Sequence, residues 1–253
     1  MAQIIAVLNQ KGGVGKTTTT INLAAYLAKA GKTVLIVDAD PQGNATSGLG
    51  VDKRAADTTV YHVILGQAPP ERAIIETDVV NVSLLPANPD LAGAETELAE
   101  STDREFLLRN ALTGLQYDFI LIDCPPALGL LTVNSLVAAH WLLVPVQAEY
   151  YAMEGLGQLM EVFQKVKQGM NPGIGILGVV VTMYDSRTTL ADQVVKELQH
   201  HFGESVFATY IPRNVRLAEA PSYGKPISEH DKWSRGARAY KQLAKEVLKR
   251  VQN

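Results

Sequence analysis

A glycine-rich segment near the amino end of the chain has the residue types that bind phosphate. Lys11-Gly12-Gly13-Val14 leads into Gly15-Lys16-Thr17-Thr18, directly after the apolar run Ile4–Leu8. Glycines allow backbone N–H groups to surround phosphate oxygens, and a helix that starts here adds its positive end. The motif predicts that Lys16 binds the β- and γ-phosphates of a nucleotide and that the Thr17 hydroxyl binds Mg²⁺.

One position departs from the strict phosphate-loop (P-loop) pattern. That pattern has a glycine five residues before Gly15, whereas this chain has Gln10 there, followed by Lys11. The alternative to a phosphate site is a purely structural glycine-rich turn with a surface lysine. The strand, the loop, Gly-Lys-Thr and the helix nevertheless occur in the order that the motif requires, so we expect a phosphate site.

Aspartates follow two further apolar runs. Val34–Val37 ends in Asp38-Ala39-Asp40, and Phe119–Ile122 ends in Asp123. An aspartate at the end of a buried strand beside a P-loop typically holds Mg²⁺, which is the role predicted for Asp123. For Asp38 the alternative to a functional role is a structural one, as a strand-end carboxylate that supports the loop or the metal shell. For Asp40 the structural alternative is a turn-forming role.

The elements between these residues alternate. Continuous apolar runs, typical of parallel strands buried on both faces, are separated by helical patterns. The predicted strands are Ile4–Leu8, Val34–Val37, Val82–Leu85, Phe119–Ile122, Trp141–Val146 and Ile176–Val181, with Val206–Tyr210 as a weaker seventh. The predicted helices are Thr17–Ala30, Asp103–Leu115, Leu130–Ala139, Glu154–Gly169, Leu190–Phe202 and Arg235–Val251. This order predicts an α/β fold, a doubly wound and mostly parallel sheet with helices on both faces.

The stretch 43–89 is less regular than the rest. We interpret it as short helices and loops along one edge of the sheet, and we expect residues 1–253 to form a single domain. In such sheets ligands bind beyond the carboxyl ends of the strands, where the glycine-rich loop and the aspartates lie.

Composition excludes several other kinds of site. The 253 residues carry a net charge of −3 and one cysteine, Cys124, which rules out a disulfide framework or a cysteine-ligated metal cluster built by one chain. The five histidines show no familiar metal-ligand spacing. No apolar run approaches the ~20 residues that cross a bilayer, and the start lacks a basic signal region, so we expect a cytoplasmic protein.

The glycine-rich segment resembles the deviant P-loop of the ParA/MinD family of ATPases. Lys-Gly-Gly-Val-Gly-Lys-Thr at positions 11–17 carries the resemblance, and Lys11 matches the family's signature lysine. The resemblance implies an ATPase that binds ATP and Mg²⁺ as a homodimer enclosing two nucleotides. It implies that Lys11 reaches the phosphates of the partner copy, that Asp40 orients the attacking water, and that Thr17, Asp40 and Asp123 surround the metal.

Two C-terminal segments, 181–188 and 211–226, resemble the ParA/Soj-type partition branch of this family. The resemblance implies that Pro212 and Asn214 border the adenine with Met183 beside them, and that Arg187 and Arg216 hold DNA without sequence preference. Arg213 and Lys225 are further DNA-binding candidates. The segment 147–156 adds to the resemblance, and residues 181–253 contain 12 Lys/Arg against 8 Asp/Glu, which suits a polyanionic partner.

The partition branch implies a nucleoid-associated protein. Its partners would be nonspecific double-stranded DNA and a ParB/Spo0J-type centromere-binding protein that stimulates hydrolysis. Because the P-loop begins nine residues into the chain, without a preceding helix-turn-helix domain, site-specific operator binding is not expected.

A MinD-like membrane-cycling ATPase is the main alternative, because it would have the same P-loop. The last predicted helix has an apolar stripe that would serve either as a membrane face or as a packing face: Ala237, Tyr240, Leu243, Ala244, Val247, Leu248 and Val251. Packing is the commoner explanation for such a stripe, so we expect no stable membrane association. A metabolic ligase or kinase of the same superfamily and a non-enzymatic scaffold are the remaining alternatives.

Overall fold

The computed structural model describes residues 2–149 and 153–252. In these residues seven strands form one sheet, in the spatial order β3-β4-β2-β5-β1-β6-β7. The strands are β1 (Gln3–Val7), β2 (Val34–Asp38), β3 (Ile75–Glu76), β4 (Val82–Leu85), β5 (Phe119–Asp123), β6 (Trp141–Gln147) and β7 (Gly175–Thr182). Only β3 runs antiparallel to its neighbour within the described chain, which confirms the predicted mostly parallel α/β sheet.

Helices connect the strands and cover both faces of the sheet. They are α1 (Lys16–Lys29), α2 (Asn44–Gly48), α3 (Val60–Ile64), α4 (Pro70–Ala73), α5 (Leu91–Glu97), α6 (Leu107–Leu112), α7 (Leu130–Ala138), α8 (Glu154–Gly169), α9 (Thr189–Phe202), α10 (Val215–Glu219), α11 (Ile227–His230) and α12 (Arg235–Arg250). Alternate residues of β1 enter different layers: Ile5 and Val7 pack with α1 and α12, whereas Ala6 packs with α7 and α8. Burial on both faces explains why the strand sequences are continuously apolar.

Strand register brings the candidate residues to one edge. β5 lies between β1 and β2, and Asp123 pairs with Val7 on one side and with Asp38 on the other. The loop after β1 and the carboxylates that end β2 and β5 therefore meet at the carboxyl ends of the central strands, where parallel sheets bind ligands.

The predicted strand at 206–210 is wrong. Val206 forms only an isolated bridge to Val179, and the rest of the segment is irregular. The guanidinium of Arg250 explains this, because it binds the carbonyl oxygens of Ser205 and Val206 at 2.9 and 3.1 Å. A side chain from α12 thus binds backbone acceptors that a neighbouring strand would otherwise need.

The helix predicted at 103–115 is shorter than expected. Asp103 has a positive φ of 57°, a single 3₁₀ turn follows at 104–106, and α6 ends at Leu112 before Gly114, whose φ is 90°. The irregular region 43–89 is also more ordered than predicted, because β3 adds an antiparallel edge strand beside β4.

The apolar stripe of helix α12 lies inside the protein. Ala237, Tyr240, Leu243, Ala244 and Val247 are all buried in the layer that α1 shares. The stripe therefore packs against the protein, as predicted. In the part of the chain that the structure describes, each helix is too short or too polar to traverse a bilayer.

Candidate nucleotide site and arginine surface

The loop between β1 and α1 has the backbone of a phosphate cradle. Gly13 and Gly15 have φ values of 76° and 89°, a left-handed conformation that other residues rarely adopt. Thr182 in β7 fixes the loop from outside, because its hydroxyl donates to the Val14 carbonyl at 2.7 Å. The loop then enters α1 at Lys16, which places backbone N–H groups at a helix amino end.

Lys16 is held inside this loop. Its side chain is buried, and its ammonium donates to the Lys11 carbonyl at 3.3 Å. Burial lowers the pKa of Lys16, an effect opposed by the charge of Asp123 and, more weakly, of Asp40. A cation positioned between the loop and two carboxylates fits the triphosphate role predicted for Lys16.

Thr17 and Asp123 form the candidate metal site. The Thr17 hydroxyl donates to Asp123 Oδ2 at 2.7 Å, and Thr20 donates to Oδ1 at 3.2 Å. Burial, and then the nearby charge of Asp38, raise the pKa of Asp123 to about 8. A buried carboxylate next to a hydroxyl is a donor set that Mg²⁺ accepts.

Protein groups alone do not complete this metal site. In residues 2–149 and 153–252, no three His, Cys, Asp or Glu side chains converge as a metal cluster. Phosphate oxygens would have to supply further ligands, which is how Mg²⁺ is usually bound at nucleotide sites.

The two aspartates after β2 differ in their surroundings. Asp38 is fully buried and accepts hydrogen bonds from the backbone and hydroxyl of Thr46, at 2.8 and 2.7 Å. Burial raises the pKa of Asp38 to about 6. Asp40 lines the cavity and accepts from the Gln42 backbone at 3.0 Å. Asp38 therefore fastens α2 to the sheet, whereas Asp40 is available to a ligand.

A cavity of about 510 Å³ opens at the loop. The predicted site residues on its wall are Gly12, Gly13, Gly15, Lys16, Thr17, Thr18, Asp40 and Met183. The rest of the wall consists of residues that the sequence did not predict: Ile21, Asn22, Gln42, Asn44, Ser47, Gly48, Pro126, Ala220 and Pro221. Lys225, predicted for DNA, also lies on this wall.

Two residues predicted at the adenine do not line this cavity. Pro212 pairs with Tyr184 in an isolated bridge, and the Asn214 side chain accepts a hydrogen bond from Leu217 N at 3.3 Å as the cap of α10. Ala220 and Pro221, farther along the same segment, line the cavity instead. The adenine contacts of Pro212 and Asn214 therefore stay predictions, and the residues of this segment that line the cavity are Ala220, Pro221 and Lys225.

The Lys11 side chain pairs with an acidic residue, whereas the Lys16 side chain contacts the loop backbone. Its ammonium lies 3.5 Å from Glu149 Oε2, and the other oxygen of Glu149 lies 3.7 Å from Arg213 Nη2. Glu149 thus joins two predicted functional cations, which no spacing in the sequence indicates. Of the segment 147–156 that carried part of the resemblance, residues 150–152 lie outside the described residues.

Arg187 and Arg216 are on the surface and are paired with acids. The Arg187 side chain is 86% exposed and donates to both carboxylate oxygens of Asp185, at 2.9 and 2.7 Å. Arg216 donates to Glu219 at 2.8 Å and lies 3.7 Å from Asp231. Both guanidinium groups are accessible to a large polyanion, although each has a local carboxylate partner.

Similarity to known proteins identifies the family of this chain. A family model described as an AAA domain matches residues 2–176. The chain is 57% identical to the chromosome-partitioning ATPase Soj of Thermus thermophilus, over 98% of this chain and 96% of that protein. It is 52% identical to the sporulation initiation inhibitor protein Soj of Bacillus subtilis, over 98% of each. This chain is a ParA/Soj-type ATPase.

Solved structures agree with the fold of the ParA/Soj-type ATPases. Cobyrinic acid a,c-diamide synthase from Mycobacterium smegmatis, with bound ADP and magnesium, superposes with a TM-score of 0.89 at 40% identity, covering 100% of this chain and 96% of that one. The family model ends at residue 176, before Met183, Arg187 and Arg216. Similarity to Soj, which extends over nearly the whole chain, is therefore what supports the C-terminal part of the resemblance.

Proposed function

We propose that this ParA/Soj-type ATPase is a nucleoid-associated DNA-partitioning protein that segregates chromosomes or plasmids, with residues 1–253 acting as one ATPase domain. The observation that carries the proposal is its 57% identity to the chromosome-partitioning ATPase of T. thermophilus along almost the entire chain. The candidate nucleotide site adds support, because Lys16, Thr17, Asp40 and Asp123 meet at one sheet edge.

The residues present fit ATP and Mg²⁺. Lys16 and the backbone N–H groups of the loop would hold the phosphate oxygens, while Thr17 and Asp123, with Asp40 beside them, would surround the metal. Bound Mg²⁺ would neutralise charge on the phosphates during phosphoryl transfer. Asp40, on the cavity wall, would accept a hydrogen bond from the attacking water and so fix its direction of approach.

Lys11 would act across a homodimer. In one copy it lies beside Glu149 at the protein surface, with 38% of its side chain exposed. In the ATP-bound dimer it would exchange that partner for the phosphates held by the second copy, offsetting the charge that builds up there. ATP would in this way favour the dimer.

The dimer would present two sets of Arg187 and Arg216 to DNA. Because each phosphate contact releases counterions, two sets would bind a duplex much more tightly than one and without reading its sequence. A ParB/Spo0J-type partner would stimulate hydrolysis, separate the copies and release the DNA.

A gel shift on a random-sequence duplex tests this proposal. We expect retention with ATP, none with ADP or without nucleotide, and a steep loss of retention as salt rises. Equal retention under all three nucleotide conditions would contradict it.

A metabolic ATP-dependent enzyme is the second candidate, favoured by the 40% identity to the M. smegmatis synthase. ATP turnover would then rise when cobyrinic acid and an ammonia donor are added, and would not respond to DNA. A MinD-like membrane cycle has weaker support, since the apolar stripe of α12 is buried. Sedimentation with anionic vesicles and ATP, in the absence of DNA, tests that third function.

A further inference from the structure

Three large apolar side chains are exposed in one C-terminal stretch. Val215, Tyr223 and Trp233 keep 67%, 66% and 80% of their surface exposed, and they are three of the five such side chains among residues 2–149 and 153–252. Tyr223 stacks on His230 with ring centroids 4.7 Å apart. Large apolar side chains exposed this close together in the sequence make the stretch a candidate interaction surface.

Asp231 connects Trp233 to Arg216. Its Oδ1 accepts a hydrogen bond from the Trp233 backbone at 3.1 Å, while its Oδ2 lies 3.7 Å from Arg216 Nε. Ser234 closes the same turn by donating to the Asp231 carbonyl at 2.9 Å, and it caps α12 by accepting from Ala237 N at 3.1 Å. The backbone of Trp233 is therefore ordered in a turn whose Asp231 also contacts Arg216, which reduces the backbone entropy lost on binding.

The charge of this stretch indicates the kind of partner. Residues 213–238 contain six Lys/Arg and three Asp/Glu, although the whole chain has a net charge of −3. Lys232 places its ammonium 5.3 Å from the centroid of the Trp233 ring. Cations interleaved with aromatic rings suit nucleic acid, because the cations bind phosphates while the rings can pack on the sugars between them.

We propose that Trp233, together with Tyr223, packs against duplex DNA beside Arg216 and supplies an uncharged part of the contact. This inference rests on the proposed DNA binding and adds a contact that does not depend on phosphate charge. The ring can pack on the sugar of any nucleotide, so the contact carries no sequence preference.

The two tryptophans of the chain allow a direct test. Trp141 is partly buried at the start of β6, where its indole donates to Gln3 Oε1 at 2.9 Å. The variant Trp141→Phe therefore leaves Trp233 as the only tryptophan reporter. With ATP and Mg²⁺, we expect a fluorescein-labelled random duplex to bind this variant with wild-type affinity and to change its tryptophan emission.

Affinity and its salt dependence separate the ring contact from the charged contact. Trp233→Ala should weaken binding of the duplex about fivefold or more, while leaving the slope of log K against log salt unchanged. Arg216→Ala should make that slope shallower by roughly one. Trp233→Phe, which keeps a ring, should recover most of the affinity.

Three results would contradict the proposal, and each identifies which statement is wrong. If the duplex binds with ATP but tryptophan emission stays constant and Trp233→Ala binds normally, this inference is wrong while DNA binding stands. If the wild-type protein binds no duplex with ATP, the proposed function itself fails. If Trp233→Ala loses the ATP-dependent dimer in sedimentation velocity, the ring belongs to an interface between two copies, and the DNA contact is overturned.

Discussion

The nucleotide pocket and the arginine surface hold their charged groups in different ways. In the pocket, Asp123 is buried and accepts hydrogen bonds from Thr17 and Thr20, residues more than 100 positions away in the sequence. On the surface, Arg187 pairs with Asp185 two positions away, and its side chain is 86% exposed. The pocket is thus organised by the fold, whereas the surface pair is organised by a local turn.

This difference predicts how each region responds to substitution. Buried groups with long-range partners are pre-organised, so removing one disturbs a geometry that water cannot replace. Exposed ion pairs contribute roughly 0–1 kcal/mol and exchange partners readily. We therefore expect large, specific losses in the pocket, and smaller, salt-dependent changes at the arginines.

Lys16→Ala should have the largest effect. It removes the buried ammonium that would bind the phosphates, so we expect ATP affinity to fall at least ~100-fold, as measured by calorimetry with Mg·ATP. Lys32→Ala is the matched control, because Lys32 is paired with Asp118 far from the loop. Wild-type ATP affinity in Lys16→Ala would show that the loop backbone alone holds the nucleotide.

Asp40→Ala should affect turnover rather than binding. Removing the carboxylate that would orient the water should lower kcat about 100-fold, while the ATP affinity stays within a few-fold of wild type. The variant should therefore remain on DNA in the presence of ATP. Asp57→Ala, which removes an exposed carboxylate, is the control. Unchanged hydrolysis by Asp40→Ala would rule out the water-orienting role.

The contrast also explains what could be predicted from the sequence. The P-loop and Asp123 were predictable because local spacing defines them and continuous apolar runs locate their strands. Glu149 beside Lys11 and Pro221 on the cavity wall were missed, because each depends on chain segments that meet only in the folded protein. The false strand at 206–210 has the same cause, since Arg250 of α12 binds the carbonyl oxygens of Ser205 and Val206 where the segment begins.

Arg216→Glu should abolish most DNA binding while preserving the ATP-dependent dimer. The reversal removes a phosphate contact and adds repulsion, so we expect roughly a tenfold or greater loss of affinity at moderate salt, with a shallower salt dependence. Arg187→Glu should behave similarly. Dimer formation is measured in parallel by sedimentation velocity with ATP. If dimerisation is lost together with DNA binding, the arginines are structural and the surface is not an independent region.

Asp185→Asn should produce the smallest change, and in the opposite direction. Asp185 binds the Arg187 guanidinium through both oxygens, so it competes with a DNA phosphate for the same donors. Removing its charge should raise duplex affinity about twofold, which corresponds to the modest free energy of an exposed ion pair. Asp78→Asn, on the exposed turn between β3 and β4, makes the same change in net charge and should have no effect.

Measuring the affinity of Asp185→Asn at two pH values tests whether Asp185 acts as an ionised carboxylate. Hydrogen bonds from Arg187 lower the pKa of Asp185 to about 2, so the carboxylate stays ionised throughout the range in which the protein would be assayed. The gain in Asp185→Asn should therefore be equal at about pH 6 and about pH 8. Weaker DNA binding in this variant would mean that Asp185 positions Arg187 for the duplex, and that the surface, like the pocket, is pre-organised for its ligand.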